Sequence, residues 1–421
     1  MMKKNILIIG STAKVSALAR VLSQKHKVFA APGCSGIEEY ADIVDIRESN
    51  VVELLNFALE NDIFFTIVSS DEAIKSDIYK VFNVNGLNIF SPSSEAALFT
   101  LSKSAEKRMF YKLRIPTPKF AVYEKKQLAL EYVQKCKMPV VVKTDAHRPD
   151  NAVMICPSVN IAKSYIEDCF FSGESKVIIE EYVLGQCFSF YVITDGYKAL
   201  PIGSVRDYKY SLDGGGGILT KGMGACSPFS HFTYDDENYL MNEIVYPVIN
   251  HLAVGYRPYT GIIGFDGILT PEGDIAIIEC NSFLRDHDIQ GVLYLLKNDI
   301  FNLMHSCVVG SFSDEYELLD FKDEYAVSCV LSSGQYKNEI IYGLENLQED
   351  TFAVHINTRQ NDYTEYEVQG GRALVLMTAA KTISRAVQKL YSEVDALEFK
   401  GKTYRKDICK IPQYDILYEG R

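Results

Sequence analysis

Through the first hundred residues, short continuous apolar runs alternate with segments whose apolar positions recur every three or four residues. Ile6-Leu7-Ile8-Ile9 stops at Gly10-Ser11, as a strand buried on both faces does. Behind it, Val15, Leu18, Ala19 and Leu22 form one helix face. Val28 to Ala31 closes on Pro32-Gly33, and a short run follows at Asp42 to Ile46. A second helix is marked by Val51, Leu54, Leu55, Ala58 and Leu59, and an apolar strand by Ile63 to Val68. This alternation predicts a doubly wound parallel sheet with its ligand beyond the carboxyl ends of the strands. The pair Lys3-Lys4 before an apolar run suggests a signal peptide, but four apolar residues ending at a glycine turn read as a strand.

From about residue 100 the character changes. Lys103, Lys107 and Lys112 lie on a helical stretch that ends before Ile115-Pro116-Thr117-Pro118, and Met138 to Lys143 is a short buried strand carrying a lysine at its end. A strand at Lys176 to Glu181 precedes a glycine-rich loop at Gly214 to Gly217. Strands around Ile262 to Leu269 and Asp274 to Asn281 are joined by the turn Thr270-Pro271-Glu272-Gly273-Asp274, and Gly370-Gly371 reads as another tight turn.

A chain of 421 residues exceeds one hydrophobic core, so two to four domains are expected. With 47% hydrophobic and 23% charged residues and no long apolar run, the composition is globular and predicts no membrane span. A net charge of −12 argues against nucleic acid or an anionic membrane as the main partner, though not against small anions in a local basic pocket. The 10 cysteines stand singly, without metal or redox spacing, as buried thiols of a reducing cytoplasm do.

Three features carry candidate chemistry. Glu279 and Asn281 are two apart on a strand and project to one side; Asp266, on the partner strand, is placed to face them. Such hard oxygen ligands suit Mg2+, against the plainer reading of a carboxylate solvated at a strand end. Ile178 to Gly185 carries two acids into an apolar connection, whose backbone can meet an adenine edge. Lys103 and Lys143 can hold phosphates as point charges. A lone lysine is usually a solvated surface group, but one ending the run Val140 to Val142 is less easily dismissed.

Leu101-Ser102-Lys103-Ser104, Val140 to Asp145, Ile179-Glu180-Glu181-Tyr182, Gly222 to Pro228, Ile278-Glu279-Cys280-Asn281, the glycine pair before Arg372, and Tyr404 to Ile408 follow in order. Together they resemble the ATP-grasp superfamily and, nearly end to end, the phosphoribosylamine–glycine ligase family. The resemblance implies an α/β fold: an amino-terminal doubly wound substrate domain over 1–100, a two-subdomain α+β ATP-grasp domain over 101–315, and a mixed α/β carboxyl-terminal domain over 316–421. It implies a cytoplasmic monomer or homodimer, with no nucleic-acid or membrane partner. The implied reaction joins a small-molecule carboxylate to an amine with ATP and Mg2+, through an acyl phosphate.

Carried over by residue, Lys103 and Lys143 match phosphate contacts, and Glu180, Glu181, Tyr182, Val183 and Gln186 match the adenine and ribose contacts. Glu279 and Asn281 match the metal pair, with Asp266 as an acidic third ligand of other ATP-grasp enzymes. Lys143, Arg148 and Arg285 are the catalytic candidates. Gly10, Ser11, Lys14, Asp207, Lys209, Gly222, Met223, Gly224, Asp286 and Arg372 fall on the substrate side.

The departures from the family pattern cluster. Thr12 and Ala13 replace glycines of the first loop, and Ser69-Ser70-Asp71-Glu72 replaces a Gly-Pro-Glu turn. Leu219-Thr220-Lys221-Gly222-Met223-Gly224 replaces Asn-Thr-Gly-Gly-Met-Gly, and Phe283-Leu284-Arg285-Asp286-His287-Asp288 replaces Arg-Phe-Gly-Asp-Pro-Glu. Arg285 is a substitute for the missing arginine, but from the opposite strand face if the backbone stays extended. Ala146 to Ala152 lacks the glycines of a phosphate flap, and Gln186-Cys187 replaces an acidic pair. Three readings stay open here: a phosphoribosylamine–glycine ligase of purine biosynthesis, an amide ligase for another acid or amine, and a non-catalytic nucleotide-binding relative.

Overall fold

The computed structural model describes residues 3–145, 152–255 and 258–410. Its amino-terminal sheet has five parallel strands in the order Asp42–Ile43, Lys27–Pro32, Asn5–Gly10, Phe65–Val68, Ile89–Phe90. The central strand shows why it must be apolar on both faces. Ile6 and Ile8 pack with Val15, Leu18 and Leu22 in one core layer, and Leu7 and Ile9 with Leu54, Ala58 and Phe82 in the other. The run at Asp42 to Ile46 contributes only two residues, as an edge strand.

A second, antiparallel sheet of four strands runs Phe120–Tyr123, Val177–Glu181, Val140–Thr144, Val153–Cys156. Its apolar face, with Val140, Val142 and Ile179, is covered by Ala129 and Val133 of helix Lys126–Val133 and by Ala162 and Ile166 of helix Val159–Phe171.

The third sheet has nine strands. Eight follow in the order Ile275–Asn281, Gly261–Leu269, Gln186–Thr194, Ala199–Asp207, Gly224–Ser227, Tyr325–Ile340, Tyr366–Ala380, Phe352–His355, and Thr358–Gln360 also pairs with Tyr366–Ala380. The pairing of Gly224–Ser227 with Tyr325–Ile340 joins strands from before and after residue 315 in one sheet. Gly370-Gly371 is not a turn. Both glycines sit inside the strand Tyr366–Ala380 at φ 92° and 61°, where its register with Tyr325–Ile340 shifts, so the bulge and not a reversal uses their freedom. Among the described residues no helix is long and apolar enough to cross a membrane.

Candidate active site

The helix Lys103–Leu113 begins at Ser102, whose hydroxyl accepts from the Ala105 amide. Lys103, Glu106 and Lys107 fall on one helical face, and all three are buried. Each has a partner on another element. Lys103 Nζ lies 2.6 Å from Glu279 Oε2, Lys107 Nζ 3.2 Å from Glu180, and Glu106 accepts from the Cys280 amide. Asp145, just past the strand that carries Lys143, accepts from the Ser104 amide at 2.7 Å and the Ser102 hydroxyl at 3.1 Å. A carboxylate at a helix amino terminus is favoured by the backbone dipole, and here it also ties Lys103 to Lys143.

Glu180 is the centre of a buried ion triad, with Lys143 at 2.8 Å and Lys107 at 3.2 Å. Burial opposes its charge, but the two lysines prevail and hold its carboxyl below the usual range. The Lys143 ammonium, held by Glu180 at 2.8 Å, lines the cleft. Glu181 points the other way and is half-exposed, with Oε1 accepting from the Lys119 amide. Tyr182 and Val183 follow on the cleft wall, and Gly185 passes so close to the next strand that a Cβ would stand 2.3 Å from the Leu269 carbonyl. The ribose assignment of Gln186 needs correction. Strand alternation turns its side chain inward, where it is buried, and puts Cys187 on the cleft instead.

The hairpin of Gly261–Leu269 and Ile275–Asn281 sets Asp266 opposite Glu279 and Gly264 opposite Asn281. The side chains meet: Asn281 Nδ2 donates to Asp266 Oδ2 at 3.1 Å. Glu279 and Asn281 line the cleft, whereas Asp266 is fully buried and does not. Its Oδ1 accepts from Ser189 at 2.7 Å, and its Oδ2 faces Arg285 and Lys209.

The chain leaves the extended conformation at Asn281, and Arg285 does not come from the opposite face expected for it. Phe283 and Leu284 go into the core, and the Arg285 guanidinium returns to the face of Glu279. It is ion-paired to Asp207, Asp266 and, at 2.9 Å, Glu279. Burial opposes ionisation of Glu279, yet Lys103, Lys209 and Lys143 hold its carboxyl well below the usual range. Asp207, expected on the substrate side, is fully buried beneath Arg285, with Oδ1 2.8 Å from His287 Nε2. His287 in turn lies 3.3 Å from Asp288, which accepts from Tyr191 at 2.5 Å.

These elements enclose a cleft of about 1920 Å3. Gly10, Ser11, Lys14, Lys209, Met223, Asp286 and Arg372 line it with Lys103, Lys143, Glu279 and Arg285. Asp286 accepts from the Lys14 amide at 3.3 Å and lies 3.5 Å from Arg372. Gly222 and Gly224 sit behind the surface: a Cβ on Gly222 would fall 1.9 Å from His287 Cε1, and one on Gly224 2.6 Å from Ile408. Arg148 lies outside the described residues. Three participants were not singled out from the sequence. Lys107, four residues after Lys103, was within reach of helical spacing, whereas the partners of Asp145 and His287 depend on chain separations of 41 and 80 residues.

For a divalent cation, the accessible donors are the Glu279 carboxylate and the Asn281 amide, and among the described residues no group of three His, Cys, Asp or Glu forms a metal cluster. Two oxygen donors beside a cleft lined by lysines suit Mg2+ held jointly with substrate phosphates; Asp266 does not reach the surface and so buttresses Asn281.

Comparison with known proteins gives the same order of parts. Three family models match in sequence: the phosphoribosylglycinamide synthetase N domain over residues 4–99, its ATP-grasp (A) domain over 101–290, and its C domain over 326–411. A curated phosphoribosylamine–glycine ligase of Clostridium acetobutylicum is 31% identical over 417 residues, covering 96% of this chain and 99% of that protein. In fold, the chain is similar to the crystal structure of phosphoribosylamine–glycine ligase from Thermotoga maritima, at TM-score 0.78 and 24% identity, over 96% of this chain and 99% of that one. It is also similar to the biotin carboxylase domain of Hydrogenobacter thermophilus 2-oxoglutarate carboxylase in complex with MgADP, ADP and bicarbonate, at TM-score 0.73 and 14% identity, over 96% and 92%.

Proposed function

This chain belongs to the phosphoribosylglycinamide synthetase family, and we propose that it is an ATP-dependent ligase that joins a small carboxylic acid to an amine. A carboxylate is a poor acyl donor because it is anionic and resonance-stabilised. Its oxygen attacks the γ-phosphorus of ATP and the bond to the β-phosphate oxygen breaks, giving an acyl phosphate and ADP. The amine nitrogen then attacks the acyl carbon, phosphate leaves with the bonding electrons, and the nitrogen loses a proton.

The observation that carries this reading is the meeting of Lys103, Lys143, Glu279 and Asn281 on one cleft wall. Lys143, held from within by Glu180, faces the place where phosphates are held, and Lys103 is fixed on the same wall by Glu279. Such preorganised cations stabilise charge that develops during phosphoryl transfer. Glu279 and Asn281 would hold Mg2+, which when bound neutralises phosphate charge. The connection at Glu181, Tyr182 and Val183 receives the adenine, with Gly185 allowing the backbone to pass close to Leu269. Monomer or homodimer assembly and a cytoplasmic location accompany this reading.

The test is ADP release dependent on both an acid and an amine. Glu279→Gln keeps the side-chain volume and is expected to abolish turnover while leaving the fold intact. Activity within about threefold of wild type, well under 1 kcal/mol of barrier, would remove Glu279 from this role.

Within the ligase reading, altered specificity is favoured over the ordinary purine-biosynthetic reaction by three lining residues, Leu219, Lys221 and Arg285, which stand where the family pattern has asparagine and two glycines. A purine auxotroph lacking phosphoribosylamine–glycine ligase should not be rescued by this chain; robust growth without purine would return it to the ordinary reaction.

A further inference from the structure

The ion pairs around Arg285 bear on which acid is activated, an inference that rests on the ligase reading above. Asp207, Asp266 and Glu279 are the carboxylates ion-paired to Arg285. Each is met by a cation of the same chain: Asp207 by Arg285 and by Lys209 at 3.7 Å, Asp266 by Arg285 and by Lys209 at 3.5 Å, and Glu279 by Arg285 at 2.9 Å and Lys103 at 2.6 Å. Three negative side chains thus face three positive ones. Asp286, the next acid along, is held by Arg372 and the Lys14 amide. The lining acids Glu48, Asp71 and Glu72 have no ion-paired lysine or arginine among the described residues, and they belong to the amino-terminal sheet's loops. The resemblance places the amine, not the acid, on that side.

An α-amino acid presents an ammonium group next to its reacting carboxylate, and a buried ammonium needs an acceptor. Around Arg285 the carboxylates that would accept from such an ammonium are already ion-paired. The guanidinium that takes them comes from Arg285, in a motif where the family has glycine, and it is set from behind by Asp207 and His287. We propose that Arg285 is a specificity-determining residue, occupying the position of a substrate ammonium, and that the acid activated here has no α-amino group. The side of Arg285 that lines the cleft is suited to an anionic or hydroxyl oxygen of that acid. Phe283, which replaces the arginine of the family pattern, is buried and leaves Arg285 as the arginine of this segment.

The proposal is tested without knowing the amine, because hydroxylamine intercepts acyl phosphates as hydroxamates. Purified full-length protein with Mg-ATP and hydroxylamine is assayed for ADP and hydroxamate with matched acids: glycine, glycolate and acetate; alanine, lactate and propionate; aspartate, malate and succinate. Acids lacking the amino group are expected to exceed their amino partners in kcat/KM by about tenfold or more. Arg285→Gly, which frees Asp207 and Glu279, is expected to move that ratio toward the amino acids; Arg285→Lys, which keeps the charge, should move it less. Preference of the wild type for the amino members overturns the inference and leaves the ligase reading standing, as does an unchanged ratio in a folded Arg285→Gly. If that variant does not fold, the wild-type panel decides. Failure of every acid to elicit ADP or hydroxamate counts against both.

Discussion

Glu180→Gln isolates the part of the site where electrostatics and stability coincide. Glu180 and its partners Lys107 and Lys143 expose only 2%, 1% and 3% of their side chains, so no solvent screens the triad. At separations of 2.8 and 3.2 Å and an effective dielectric of about 20, each attraction is on the order of 5 kcal/mol before desolvation is set against it. Glutamine preserves the shape but leaves two ammonium groups buried without a counter-charge, a change that typically costs about 3–5 kcal/mol. For domains of this size the expected fall in Tm is about 6–20 °C. Glu181→Gln, one residue on but half-exposed and 3.8 Å from Lys119, is the control, with an expected cost of about 0–1 kcal/mol. The pH dependence has a definite sign. The folded pKa of Glu180 lies below the ordinary 4.5, so its contribution is complete above that pH and is lost as pH falls through the folded value. Urea or thermal unfolding of both variants, at neutral pH and near pH 4, measures this. Equal stability of Glu180→Gln and Glu181→Gln at neutral pH would refute the account of Glu180 as the counter-charge of two buried lysines.

Three further outcomes are expected. Gly222→Ala places a Cβ 1.9 Å from His287 Cε1 at φ +111°, combining overpacking with strain for a loss on the order of 3 kcal/mol in chemical denaturation; a loss below about 1 kcal/mol would mean that His287 is not fixed there. His355 is buried with its Nδ1 2.7 Å from Thr358, and burial lowers its pKa from 6.5 to about 4; wild-type stability should therefore fall as pH drops from 6.5 to 4, and His355→Asn should flatten that slope in pH-dependent melting curves. Asp145→Asn weakens the charged acceptor at the Ser104 amide, with about 0.5–1 kcal/mol lost from the helix amino terminus and a raised KM for ATP in the ADP-release assay; an unchanged KM would separate Asp145 from the placement of Lys103.

What could be read from the chain without its fold divides by range. Ile6 to Ile9 as a doubly buried strand, and the hairpin around Thr270 to Asp274, follow from local periodicity and turn chemistry, and both are present. Glu279 and Asn281 share a face because a strand has period two, and Asp266 joins them because the hairpin turn fixes the register. Gly370-Gly371 was misread because two adjacent glycines suit a bulge as well as a turn, and only the partner strand at Gly334 distinguishes them.

Arg285 shows why site residues are harder to place than strands. Its spacing from Glu279 is six residues and its offset from the absent arginine at 283 is two, both even, so a continuous strand would put all three on one face; the opposite face expected for it miscounted the strand period, and the strand in any case ends at Asn281. What places the guanidinium is burial of its neighbours. Phe283 and Leu284 are taken into the core with Tyr191 and Ile289, and the chain between them and the helix Ile289–Leu295 has to turn. Tyr191, on strand Gln186–Thr194, has a hydroxyl that meets both Asp288 and the Arg285 amide and fixes that turn. Arg285 meets Glu279 in a segment where Phe283 is buried and Asp207 pairs with the guanidinium. Positions 285 and 287 meet at Asp207, which pairs with both the Arg285 guanidinium and His287, so the two departures from the family pattern share one carboxylate and the charge on that wall is balanced within the chain.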